Sequence, residues 1–152
     1  PDAQESRGLG DVYKRQSVAW EKCIAATVVH YINDVTGDYA NFDTANSAYA
    51  DLKNFKDLAK HWGEMKGFAI GLKFSPASTF RDGYVAGITT ADLRAVLRRM
   101  GDAPVLADGS QNGIGYAGPV QDAVDAYIAD LLEARDILET AYGFDSDIVA
   151  QW

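Results

Sequence analysis

Apolar residues recur at steps of three and four along three long stretches of this chain, the period of an amphipathic helix. The first stretch runs from Ser17 to Val35, with Trp20, Ile24, Val28, Tyr31 (with Ile32) and Val35 in one stripe. A second stripe on it, Cys23, Ala26, Thr27 and His30, is small and semi-polar. Ser17 is suited to cap the start, and Thr36-Gly37-Asp38 supplies the stop. The second stretch, Thr44 to Phe74, reads as a single helix. Its apolar row is Tyr49, Leu52, Phe55, Leu58, Trp62, Met65, Phe68 (with Ala69) and Leu72. Gly63, Gly67 and Gly71 fall on the opposite face, and His61 with Glu64 lies between the two rows. A mid-helix glycine costs about 1 kcal/mol against alanine, so three in register predict a neighbour packed close to the backbone. This helix is therefore expected to be buried on both faces and central to the fold.

The third stretch opens at Pro119, whose missing amide suits a helix start. Its stripe is Val120, Val124, Tyr127 (with Ile128), Leu131, Ala134 and Leu138, then Ala141 and Tyr142. Gly143 ends it, and Phe144 can fold back over the last turn in a Schellman arrangement. Between the second and third stretches, Arg81-Asp82-Gly83 signals a turn. Thr90 is placed to cap a short helix bearing Leu93, Val96, Leu97 and Met100, closed by Gly101. Residues 102–118 form a glycine-rich loop that opens with the apolar insert Ala103-Pro-Val-Leu106. No strand pair is predicted. The pattern specifies an all-α fold: a helical bundle of three long helices and one short one, with a long glycine-rich loop.

Composition changes this picture little. At 152 residues, 47% hydrophobic and 24% charged, the chain has the composition of one globular domain. Its net charge of −8 argues against nucleic acid or an anionic membrane as partner, because both demand basic patches. The lone Cys23 forms no internal disulfide, and no apolar run approaches the length of a transmembrane segment. Residues 1–16 show no consistent period. Their end, Asp11-Val-Tyr-Lys-Arg-Gln16, resembles the translated end of a transposase-based sequencing adaptor, so they are read as a scar without structure. On that reading the bundle occupies residues 17–145, residues 146–152 are a tail, and the natural upstream sequence is missing. Removing the scar takes away three cations and three carboxylates and leaves the net charge unchanged.

Candidate chemistry is sparse. His61 and Glu64 are three residues apart and project from one side of a helix. They form the Glu-x-x-His pair of helical metal sites in reverse order. Two ligands do not make a stable site, which needs three or four. His30, the only other histidine, can complete it if the first two helices meet there. The opposing reading is a structural His–Glu pair at the edge of the core, or Glu64 paired with Lys60. Asp108-Gly-Ser-Gln-Asn112-Gly113 imitates the start of a calcium-binding loop, but Pro119 stands where the bidentate glutamate belongs. No phosphate-binding glycine loop, nucleophile elbow or Cys–His cluster is present.

Four segments together resemble the C-terminal half of a family of bacterial envelope lipoproteins known as Domain of Unknown Function 4856. They are Trp20-Glu-Lys-Cys-Ile-Ala-Ala-Thr-Val-Val-His-Tyr-Ile-Asn33, Lys60-His-Trp-Gly-Glu-Met-Lys-Gly-Phe68, Gly101-Asp-Ala-Pro-Val-Leu106 and Ala134-Arg-Asp-Ile-Leu-Glu-Thr-Ala-Tyr-Gly-Phe144. The resemblance implies two related helical halves, of which this chain keeps the second and lacks its N-terminal partner. It also implies a lipid-anchored place in the cell envelope. That family is distantly similar to imelysin-like proteins, which are linked to iron acquisition and carry a Gly-x-His-x-x-Glu string. Here His61 and Glu64 match the string, while Ala59 stands at its glycine. The resemblance implies a metal- or iron-related binding module with His61 and Glu64 as ligands of a transition metal, a site that His30 joins if the first two helices meet. The alternative is a non-enzymatic scaffold with no metal site. Nothing in the chain identifies a nucleophile or a peptidase centre.

Overall fold

A computed structural model describes residues 3–75, 78–81 and 83–152, and the side chains from residue 10 onward. The protein is mostly helical. In chain order it comprises α1 (Ala3–Asp38), a two-residue antiparallel pair β1 (Phe42–Asp43) and β2 (Ala48–Tyr49), α2 (Leu52–Gly71), α3 (Thr90–Arg99), α4 (Val120–Tyr142) and α5 (Ser146–Val149). Helix α1 packs against both α2 and α4, and α3 packs against α4.

The core is continuous across these helices. Val28, Val29, Ile32 and Val35 of α1 meet Leu58, Met65 and Ala69 of α2, Val96 and Met100 at the end of α3, and Leu131, Ala134 and Leu138 of α4. Each large apolar side chain removed from water contributes roughly 1.5–3 kcal/mol. The α4 stripe is buried as its spacing predicts. In α1 the predicted Val28, Ile32 and Val35 are fully buried and Ala25 and Val29 join them, while Trp20 at the start of the stripe is 72% exposed. Of the small stripe, Cys23 and His30 are exposed and Ala26 and Thr27 are half-buried.

Several boundaries differ from the sequence expectation, each for a local reason. Helix α1 begins at Ala3, so Ser17 lies inside it, and its hydroxyl donates to Tyr13 O four residues back (3.0 Å) rather than capping. The helix also runs through Gly37 to Asp38. The stretch from Thr44 to Phe74 is not one helix. Asp43 accepts from the Asn46 amide (3.2 Å) and from Asn46 Nδ2 (2.6 Å), and Ser47 takes a left-handed φ of 51°. Such local polar bonds compete with helix formation. They close a hairpin in which Phe42 faces Tyr49, a strand pair that the hydrophobic pattern had excluded. Only then does Asp51, in extended conformation, accept from the Asn54 amide (2.8 Å) and start α2.

Helix α3 is capped one residue earlier than predicted, by a Thr89–Asp92 capping box. Thr90 instead donates its hydroxyl to Phe80 O (3.3 Å). Gly101 closes it at φ 67°. The predicted turn at 81–83 includes Asp82, which lies outside the described residues, as does Pro76 after α2. Pro119 is the N-cap of α4 rather than its first helical residue. At the far end Gly143 is left-handed, and the Phe144 amide donates to Glu139 O (3.1 Å), the Schellman closure expected.

The glycine-rich loop and the C-terminal residues are both tied down. Tyr39 Oη accepts from the Val105 amide (2.8 Å), and Tyr49 Oη donates to Val105 O (3.1 Å). Asn112 Oδ1 accepts from the amides of Asp102 (2.6 Å) and Ala103 (3.2 Å). Residues 146–152, expected as a tail, form α5 and a turn. Val149 is fully buried, and Asn33 Nδ2 donates to the carbonyls of Val149 (2.8 Å) and Trp152 (3.1 Å).

The expectation of a helix packed on both faces is overturned. Gly63, Gly67 and Gly71 are exposed, and a Cβ built on any of them would meet nothing within 4 Å. Helix α2 is buried along Leu58, Met65 and Ala69 only, while Leu52 and Phe74 at its two ends are 80% and 78% exposed. Two substitutions separate the faces. Leu131→Ala should lower unfolding free energy by about 2–5 kcal/mol in urea denaturation, because it leaves a cavity in the core. Gly63→Ala should raise it by up to about 1 kcal/mol, since the methyl gains helix propensity and meets no neighbour.

Candidate functional site

The predicted ligands sit where the C-terminal turns of α1 lie along the middle of α2. His30, Asp34 and Asp38 are spaced by four on α1 and share one helix face. His61 of α2 reaches into this row. Its Nδ1 is 2.8 Å from Asp38 Oδ2, and its Nε2 is 4.0 Å from Asp34 Oδ2. His30 Nε2 approaches the same Asp34 oxygen at 3.3 Å. The structure thus brings the two histidines to one carboxylate, Asp34, and orients His61 with a second, Asp38. His61 and Asp38 are mostly buried, whereas His30 is about half exposed.

Glu64 belongs to a different set of contacts. Its carboxylate lies 3.6 Å from Lys60 Nζ rather than joining His61, and its buried Oε2 has no hydrogen-bond partner among the described residues. Tyr31 stacks on Phe68 with ring centres 6.0 Å apart and lies 6.0 Å from the His61 ring. Among the described residues, no three His, Cys, Asp or Glu side chains stand together closely enough to hold a metal ion.

The electrostatics follow from burial. Asp38 has its pKa raised, because desolvation of the carboxylate outweighs the hydrogen bond and the charge that His61 offers. The Tyr31 phenol is also raised, by desolvation first and then by Glu64. A histidine held at Nδ1 by a carboxylate can act as a general base through Nε2. Here Nε2 faces Asp34, and among the described residues no hydroxyl or thiol is hydrogen-bonded to it. Cys23 is exposed, two turns earlier on α1.

The residues next to His61 in the same string reach the other way, into the C-terminal end of α3. Trp62 Nε1 donates to Met100 O (3.1 Å) and to Tyr127 Oη (2.9 Å), and Tyr127 in turn donates to Met100 O (2.8 Å). Lys66 Nζ donates to Leu97 O (2.8 Å) and Gly101 O (2.6 Å), with Asp102 at 3.7 Å. Burial lowers the Lys66 pKa, and Asp102 opposes that shift. These donors satisfy carbonyls that the end of any helix leaves without an internal partner. One turn of α2 therefore holds α1 with His61 and α3 with Trp62 and Lys66.

Asp34 and Lys66 were not singled out by sequence reasoning, Trp62 entered only as part of an apolar row, and Asp38 only as part of a helix stop. The four-residue spacing of His30, Asp34 and Asp38 was the available signal for the two aspartates. Glu21 was missed as well. It is 2% exposed, and its Oε1 accepts from the Thr79 amide (2.7 Å) and from the Tyr142 hydroxyl (2.6 Å), joining α1 to the loop before α3 and to the end of α4. A comparison with protein-family models, curated proteins and solved structures finds no significant match to this chain.

The buried phenols give this network a pH signature. Burial raises the pKa of Tyr39, Tyr127 and Tyr142 far above the ordinary value and pushes Tyr49 up to about 12. Their folded-state pKa values lie above the unfolded value of about 10, so the stability they contribute is complete below pH ~10 and is lost above it. In a spectrophotometric titration at alkaline pH, these tyrosines should ionise together with loss of far-ultraviolet helical signal. Smooth ionisation of all eight tyrosines with the helix signal intact would contradict the burial.

Proposed function

We propose that this chain is a helical bundle serving as a non-enzymatic interaction module, in which the string from His61 to Lys66 is an internal clasp. The observation that carries this reading is that three polar side chains of the string have partners inside the fold: His61 on Asp38, Trp62 on Met100 O and Lys66 on Leu97 O and Gly101 O. The face left for a partner is the outer side of α2, where Gly63, Gly67 and Gly71 are open and Ile70 and Phe74 are exposed. Small residues in register allow another helix to approach closely. The occupant we assign to this face is the related helical half implied by the resemblance to the Domain of Unknown Function 4856 family. The same resemblance is the basis for proposing a lipid-anchored position in the cell envelope. No helix among the described residues is long and apolar enough to cross a membrane.

The second reading is a transition-metal module with His30, His61 and Glu64 as ligands. It draws on the imelysin-like resemblance and on one geometric fact, that both histidines approach Asp34. Calorimetric titration with ferrous iron, zinc and copper, for the wild type and for His61→Ala, separates the two. The interaction-module reading predicts no stoichiometric uptake and a lower melting temperature for His61→Ala. Stoichiometric binding that disappears in His61→Ala would replace it with the metal reading. With the related half supplied in trans, Gly67→Gln should abolish association and leave the melting temperature within about 2 °C, as for an exposed position. Undiminished association would remove the glycine face from the proposal.

A further inference from the structure

A cleft of about 210 Å³ opens between the end of α2, the loop that follows it, and α3. Its apolar lining is Phe80, Leu93 and Leu97, and its charged lining is Lys73, Arg81 and Arg94. The chain carries 22 acidic and 14 basic side chains, yet no described residue lining this cleft is acidic. Elsewhere the buried or half-buried cations are neutralised within the fold: Lys66 by Asp102, Arg99 by Asp130 and Glu133, Arg135 by Glu139. Among the described residues, Lys73, Arg81 and Arg94 have no ion-pair partner. Three cations without an ion-pair partner lining one cleft of a strongly acidic protein make a local positive field that attracts an anion.

The apolar wall is fixed in advance. Phe80 is 1% exposed, its amide donates to Ser78 Oγ (3.2 Å), and its carbonyl accepts from Thr90 Oγ1 (3.3 Å). Leu93 is 4% exposed and is held by the capped first turn of α3. A rigid wall costs little ordering on binding. The volume accommodates a small ring or a short alkyl group, which suits neither a bare inorganic ion nor a folded partner. Two guanidinium groups and an ammonium match a dianion better than a monoanion, because guanidinium bonds phosphate oxygens in pairs.

We infer that this cleft is a binding site for a small phosphate monoester with an apolar body. The phosphate meets Lys73, Arg81 and Arg94, and the body lies against Phe80, Leu93 and Leu97. The inference is independent of the α2 glycine face.

Phenyl phosphate is the probe, titrated into the isotopically labelled 152-residue chain and followed by amide chemical shifts. Saturable shifts are expected at residues 78–81 and 90–97, weaker binding of inorganic phosphate and of benzoate, and none of phenol. Arg81→Ala and Arg94→Ala should each weaken phenyl phosphate binding about tenfold, the loss of one charge-assisted interaction. Lys73→Gln should weaken it less, and added salt should weaken it in every variant that still binds. All three positions are exposed, so a helical circular dichroism spectrum unchanged from wild type is the control, and Arg94→Lys should retain partial binding. The inference is overturned by an absence of saturable shifts, by binding that survives both arginine substitutions, or by benzoate binding as tightly as phenyl phosphate.

Discussion

A backbone carbonyl at the end of a helix must find a donor, and in this protein the donors for α3 come from α2. Met100 is fully buried, and α3 ends there in the interior, where water cannot satisfy its last carbonyls. Trp62 and Lys66 reach them across the helix interface, and Tyr127 of α4 joins at the same point. An unmet carbonyl there would cost about 1–3 kcal/mol, a substantial share of a domain's stability. The crossing of α2 over α3 is thus fixed by hydrogen bonds as well as by apolar contact. On its other side the same turn of α2 presents His61 to Asp38 at the end of α1. Two helix ends are held by one short string.

This arrangement gives the His-x-x-Glu pattern a physical meaning different from the one its spacing suggests. Spacing by three puts His61 and Glu64 on one side of the helix, which is necessary for shared ligation but does not bring them to a common point. Their contacts are different: His61 meets Asp38 on α1, while Glu64 lies beside Lys60 of its own helix. A neighbouring helix that offers an acceptor to the histidine alone splits the pair.

Much of the architecture was legible in the hydrophobic pattern. The α4 stripe, its left-handed Gly143 and the Phe144 closure follow from residues whose local preference and tertiary burial agree. The start of α2 was not legible, because the apolar row from Tyr49 onward continues the helical period while Asn46 bonds Asp43, the Ser47 amide bonds Thr44 O, and the left-handed Ser47 turns the chain. Polar turn chemistry outweighed periodicity there. The glycine row misled for a different reason: close packing is one use of small residues in register, but the row says nothing about which chain supplies the neighbour. Asp38 entered only as part of a helix stop and Asp34 not at all, since their role appears only once α2 lies beside them.

The central claim is that the turn from His61 to Lys66 is built to hold helix ends. Equilibrium unfolding in urea of Lys66→Met, set beside Lys56→Met at an exposed position of the same helix, tests it most directly. Lys66→Met should lose about 1–3 kcal/mol, because two carbonyls at the end of α3 are left without their donor, while Lys56→Met stays within about 0.5 kcal/mol of wild type. Equal, near-zero changes in both variants would contradict the account.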